Sequence, residues 1–95
     1  MKVNIQSVKF DASKQLIEFV EKKMSRLERF ESASTGVDVV LKLDKDSEKG
    51  NKVALVTLHV PGNDILTEQR AHTFEEAVDL ALDVVKRKIE KRRDK

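Results

Sequence analysis

The chain contains no cysteine, no tryptophan, no tyrosine and a single proline. Without cysteine there is no disulfide, no thiolate nucleophile and no zinc–thiolate site. The only aromatic residues are four phenylalanines, and all can be placed in apolar stripes. That argues against bases stacking on an open sheet. The three glycines are scattered through turns, so no loop can cradle a phosphate. No apolar run approaches the roughly 18 residues of a membrane span. No charged-then-apolar leader precedes the first periodic segment, and a cytoplasmic protein is the expectation.

The titratable residues offer little to catalysis either. The two histidines, His59 and His72, read as a strand-face residue and a residue just before the last helix. They have no metal-binding spacing. The loop Asp44-Lys-Asp46-Ser-Glu48-Lys-Gly50 superficially resembles the start of a calcium loop. Its glycine comes one position late, and Leu55 sits where the bidentate glutamate belongs. Serine, histidine and acidic residues occur in no recognisable nucleophile context. We expect no catalytic residue, no metal, no cofactor and no small-molecule substrate.

What the chain does have is charge. It is 38% charged and 39% hydrophobic over 95 residues, a soluble globular balance with room for one core but not two. Residues 1–95 are therefore expected to form a single domain. The formal net charge of +2 hides a segregation. Cations gather in Lys22 to Arg29 and in Lys86 to Lys95, where Lys86, Arg87, Lys88, Lys91, Arg92, Arg93 and Lys95 face only Glu90 and Asp94. Such asymmetry points to an acidic partner. Two solvated helix ends are the alternative.

Taken in order, Lys2 to Phe10 reads as a strand. Val3 and Ile5 share one parity and Val8 and Phe10 the other, which suggests a slip near Ser7. Asp11 and Ser13 are candidate caps for a helix from Ala12 to about Phe30. Its stripe is Leu16, Phe19, Val20, Met24, Leu27 and Phe30. At about 100° per residue, Lys22, Lys23, Arg26 and Arg29 fall on one flank of that stripe, and Glu21 and Glu28 on the other. After a Ser32–Gly36 linker come strands over Val37–Leu43, Lys52–Val60 and Ile65–Ala71. A polar Asp44–Asn51 loop and a Pro61-Gly-Asn-Asp64 turn separate them. The last strand is the most polar and suits an edge.

Thr73-Phe-Glu-Glu76 matches a capping box in front of the final helix. Phe74, Ala77, Val78, Ala81, Val85 and Ile89 form its stripe. Arg87 and Lys91 stack at i and i+4 with Lys88 at the stripe's edge. Glu75, Glu76, Asp79 and Asp83 begin this helix and cations end it, which suits the helix dipole. The cationic surplus exceeds that need. The whole predicts an α+β fold, a two-layer sandwich of order β-α-β-β-β-α, with two helices packed on one face of a four-stranded sheet. The last three strands form an antiparallel meander, and the first can pair parallel to a neighbour.

Three stretches carry a resemblance to a known family. MKVNIQSVKFDASKQLIEFVEKKMSRLERF is similar to an opening strand and a helix with the pattern Val-x-x-Lys-Leu-x-Lys-Leu-Glu-Lys. Here that pattern is Val20, Lys23, Met24, Arg26, Leu27, Glu28 and Arg29. VTLHVPGNDIL is similar to the third strand and its turn. FEEAVDLALDVVKRKIEKRRDK is similar to a final helix patterned Met-Tyr-x-Ala-Ile-Asp-x-x-x-Asp-Lys-Leu-x-Arg-Gln-Leu-x-Lys. In order and continuity the chain resembles the ribosome hibernation factors, a family also known as sigma-54 modulation proteins.

The resemblance implies a bacterial protein that binds the small ribosomal subunit, its 16S rRNA and the 70S ribosome at the decoding and tRNA channel. It would silence idle ribosomes in stress or stationary phase, and be a monomer off the ribosome. It assigns RNA contact to Lys23, Arg26 and Arg29 on the first helix and to Arg87 and Lys91 on the last. Lys22, Lys88, Arg92 and Arg93 join them from charge alone. Two departures stand out: Val84 replaces a frequent lysine, and Glu75 replaces the aromatic expected after Phe74. The length resembles the short form. Two readings compete with it, a generic double-stranded RNA-binding module and a protein–protein module that docks an acidic partner.

Overall fold

A computed structural model describes residues 1–93, the side chain of Arg93 excepted. The expectations for Arg93 as an RNA contact and for Asp94-Lys95 lie outside the described residues. Strands β1 (Lys2–Val8), β2 (Gly36–Leu43), β3 (Lys52–His59) and β4 (Ile65–Ala71) form one sheet in the order β1-β2-β3-β4. β1 runs parallel to β2, and the other pairs are antiparallel. Helices α1 (Lys14–Ser25), α2 (Leu27–Phe30) and α3 (Phe74–Arg93) complete the chain. The fold is the expected α+β sandwich, with β4 at an edge.

Strand periodicity decides which face the helices cover. Val37, Val39 and Leu41 lie opposite Leu58, Val56 and Ala54, and all six are essentially inaccessible. Val20, Met24 and Leu27 from α1–α2 and Ala77, Val78, Ala81, Val85 and Ile89 from α3 close over them. Each fully buried Val, Leu, Ile or Met side chain in this layer contributes roughly 1.5–3 kcal/mol. The other face carries Asn4, Asp38, Thr57 and His59 and lies open.

Three local expectations need correction. β1 keeps an unbroken register with β2 from Lys2 to Val8, so there is no slip at Ser7. The chain departs from the strand two residues later, at Lys9. Lys9 adopts a left-handed φ of 69°, and the chain swings Phe10 onto Phe74, rings stacked 4.5 Å apart. Glu75, in place of the aromatic expected after Phe74, is exposed.

The helix expected over Ala12–Phe30 is capped by Ser13, whose Oγ accepts from the Leu16 N–H, rather than by Asp11. It also breaks at Arg26. The Ser25 hydroxyl donates to the Lys22 carbonyl, and the Arg26 N–H reaches back three residues to Lys23. Serine bonding back to the preceding turn bends helices. At the last helix the Glu76 N–H donates to Thr73 Oγ1 at 3.1 Å. The return bond of a capping box, from the Thr73 N–H to the Glu76 side chain, is not made among the described residues.

The long hairpin after β2 is fixed from β4. Arg70 donates to the carbonyls of Lys45 and Gly50 and pairs with Asp44, whose carboxyl it holds below the usual range. Gly50 has a φ of +98°, and a Cβ there would stand 2.1 Å from the Ala71 carbonyl oxygen. Only glycine fits that approach.

Candidate nucleic-acid interface

The bend at Arg26 lays Arg26 and Arg29 beside Lys22, facing α3. A groove of about 500 Å³ runs there, lined by Lys22, Ser25, Arg26, Arg29, Phe30 and Lys86. The Lys86 ammonium sits 4.5 Å above the centre of the Phe30 ring. Among the described residues the side chains of Lys22, Arg26 and Arg29 make no hydrogen bond or ion pair. Their charge is therefore free for an anionic ligand.

Lys23 is different. It bonds Asp79 of α3 at 3.1 Å and stands 5.4 Å from the Phe19 ring centre, half-buried between the helices. Its position on the helix flank was anticipated. Its role in the structure is to tie α1 to α3.

A second groove, of about 420 Å³, lies on the other side of α3 against the β4 edge. Asp64, Ile65, Leu66, Lys88, Lys91 and Arg92 line it. Two of its cations are already committed to the protein. Lys88 donates to the Leu66 carbonyl, and Arg92 donates to the carbonyls of Asn63 and Pro61. Carbonyl acceptors hold a cation in place without neutralising it.

Arg87 and Lys91 do not line the groove beside α1–α2. Lys91 lines the β4-side groove, and Arg87 is exposed and lines neither groove. Helical rotation explains this, since Lys86 and Lys88 lie about 200° apart around α3. The residue that does reach toward α1–α2 is Lys86, which sequence reasoning left out. The available signal was its place on the same side of α3 as Asp79, seven residues earlier. Phe30, assigned to the core stripe, is half-buried and lines the groove as well. Val84, in place of a frequent lysine, is half-buried.

The open sheet face holds a separate polar network. His59 Nε2 lies 2.7 Å from Asp38 Oδ2 and its Nδ1 lies 3.1 Å from Asp64 Oδ2. Asn4 Nδ2 donates to the other Asp38 oxygen at 3.0 Å. The bonds to Asp38 and then Asp64 raise the His59 pKa, and the bonds from His59 and then Asn4 lower that of Asp38. Among the described residues no three His, Asp or Glu side chains are grouped to hold a metal. No helix among them is long and apolar enough to cross a membrane.

Two grooves rich in lysine and arginine thus flank α3. The family described as Sigma 54 modulation protein / S30EA ribosomal protein matches residues 3–95. The chain belongs to this family. A ribosome hibernation promoting factor of Azotobacter vinelandii is 33% identical over 95 residues, covering the whole chain and 85% of that protein. The protein of the same name in Escherichia coli K12 is 30% identical over 95 residues, covering 96% of its length. Among solved structures, a ribosomal subunit interface protein of Coxiella burnetii superposes with a TM-score of 0.87 at 20% identity, covering both chains completely. The N-terminal domain of Thermus thermophilus Protein Y does so with a TM-score of 0.80 at 23% identity, covering 96% of this chain and 98% of that one. At those identities the structures speak to the fold alone.

Proposed function

We propose that this family member is a ribosome hibernation factor. It binds the small ribosomal subunit at the decoding and tRNA channel, contacts 16S rRNA there, and blocks translation while ribosomes are idle. The observation that carries the reading is the α1–α2/α3 groove, where Lys22, Arg26 and Arg29 present uncommitted charge beside Lys86. Structured RNA offers phosphates at a density that such rows can neutralise, with release of counterions. The β4-side groove adds Lys88, Lys91 and Arg92 as pre-positioned charge, and Arg87 extends the outer ridge of α3. The protein acts as one cytoplasmic domain, as a monomer, without cofactor or catalysis.

Co-sedimentation with small subunits at increasing salt tests this. Binding falls steeply with salt if phosphate contacts carry it, and salt-insensitive binding overturns the mechanism. Addition to a cell-free translation reaction lowers its output. If free duplex RNA displaces the protein as well as empty small subunits do, a generic RNA-binding module replaces the ribosomal reading.

A further inference from the structure

The network on the open sheet face reaches the edge of the β4-side groove. Asp64 belongs to both: its carboxylate meets His59 Nδ1, and the residue lines the groove with Lys88, Lys91 and Arg92. The Pro61–Asp64 turn is thus gripped from two sides, by His59 through Asp64 and by Arg92 through Pro61 and Asn63. We propose that His59 is a protonation-dependent latch: it withholds the Asp64 carboxylate from the groove when protonated and releases it toward Lys88, Lys91 and Arg92 when neutral. The inference rests on the proposed RNA-binding role of that groove and adds its regulation.

The geometry requires a proton. Each ring nitrogen of His59 has a carboxylate oxygen within hydrogen-bond distance, and carboxylates accept only. A neutral imidazole has one N–H and one lone pair, so it can satisfy one of the two. Only the imidazolium donates to both. The bond to Asp38 is the shorter, and Asn4 also holds Asp38, so Asp64 is the partner that lets go.

Few other charges face the ring. β2 supplies Asp38 and β1 supplies Asn4 behind it. Lys2 stands in the same row two strands away, beyond Gly36. α3 presents Arg92, Lys88 and Lys91 on the far side of the turn. A released Asp64 therefore has cations within its own groove to pair with, and there it competes with a phosphate. The raised His59 pKa agrees in sign. Its contribution is complete below the ordinary histidine value of 6.5 and is lost as pH rises through the folded-state value. Roughly two-fifths of the His59 side chain and of the Asp64 side chain is exposed, so the coupling is modest.

Two variants give opposite outcomes that a general loss of stability cannot imitate. Affinity for salt-washed small subunits is measured at about pH 6 and about pH 8 at constant ionic strength. The native chain binds about fivefold more tightly at the lower pH, a coupling at the small end of the usual range. Asp64→Asn binds tightly at both, and His59→Gln binds weakly at both. A His72→Gln control keeps the native pH dependence. If His59→Gln retains that dependence, or Asp64→Asn weakens binding, the latch is wrong.

NMR on the protein alone separates this from the ribosomal reading. Side-chain signals of Arg92 should shift along the His59 titration curve in the native chain and not in Asp64→Asn. If Arg92 does not report that titration, the latch fails whatever the subunits do. If it does and subunits bind at neither pH, the latch stands and the ribosomal reading falls.

Discussion

The two sides of α3 carry the same kinds of residue and use them differently. Toward α1–α2, Lys22, Arg26 and Arg29 touch no acceptor among the described residues, and Lys86 rests on the Phe30 ring. Toward β4, Lys88 and Arg92 are bound to backbone carbonyls of β4 and the Pro61–Asp64 turn. A free arginine must lose side-chain entropy when it meets a phosphate. One already held by the protein has lost it during folding. The first groove should therefore carry binding with little effect on stability, while the second couples the two.

The largest effect should come from reversing charge in the free groove. Arg26→Glu with Arg29→Glu is expected to weaken small-subunit binding by about a hundredfold and to lower the slope of log K against log salt by about two. The melting temperature should stay within about 2 °C, because neither side chain bonds to any of the described residues. A collapsed fold would assign these arginines to packing instead.

Next comes the held cation. Arg92→Ala should cost about tenfold in binding and also about 0.5–1 kcal/mol of stability, seen as a melting temperature roughly 2–8 °C lower. If it weakens binding with no thermal change, the carbonyl contacts are worthless and the two grooves are equivalent. Lys86→Met follows. It keeps the stem over Phe30 and removes the charge, so about threefold weaker binding and a stability loss of at most about 1 kcal/mol are expected.

This difference between grooves was only half legible in the sequence. Alternation in β2 and β3 and the three-and-four spacing of the α3 stripe were enough for the sandwich, because burial of one face follows from those periods. Charge position was legible in the same way. Charge commitment was not, because the acceptors are carbonyl oxygens at Pro61, Asn63 and Leu66, in a turn and an edge strand that no pattern aligns with α3. The break at Arg26 depended on one hydroxyl, that of Ser25, choosing the Lys22 carbonyl. Lys86 is legible as a cation but not as a neighbour of α1–α2, because its partner Phe30 fits the apolar stripe. His59 read as an ordinary strand-face residue because its two acidic partners lie 21 and 5 residues away in the chain.

Lys23 gives the smallest effect and the sharpest discrimination. It lies on the same helix flank as Lys22, Arg26 and Arg29, and family resemblance assigns it to RNA. In the structure it is half-buried and engaged with Asp79. If position on the flank decides function, Lys23→Met should weaken binding about as much as loss of Arg26 alone. If commitment decides, binding changes less than about twofold, and the lost ion pair costs at most about 1 kcal/mol, as partly exposed pairs do. Asp79→Asn completes the cycle. Once Asp79 is neutral, Lys23 is released to the groove, and Lys23→Met in that background should cost more binding than it does in the native chain.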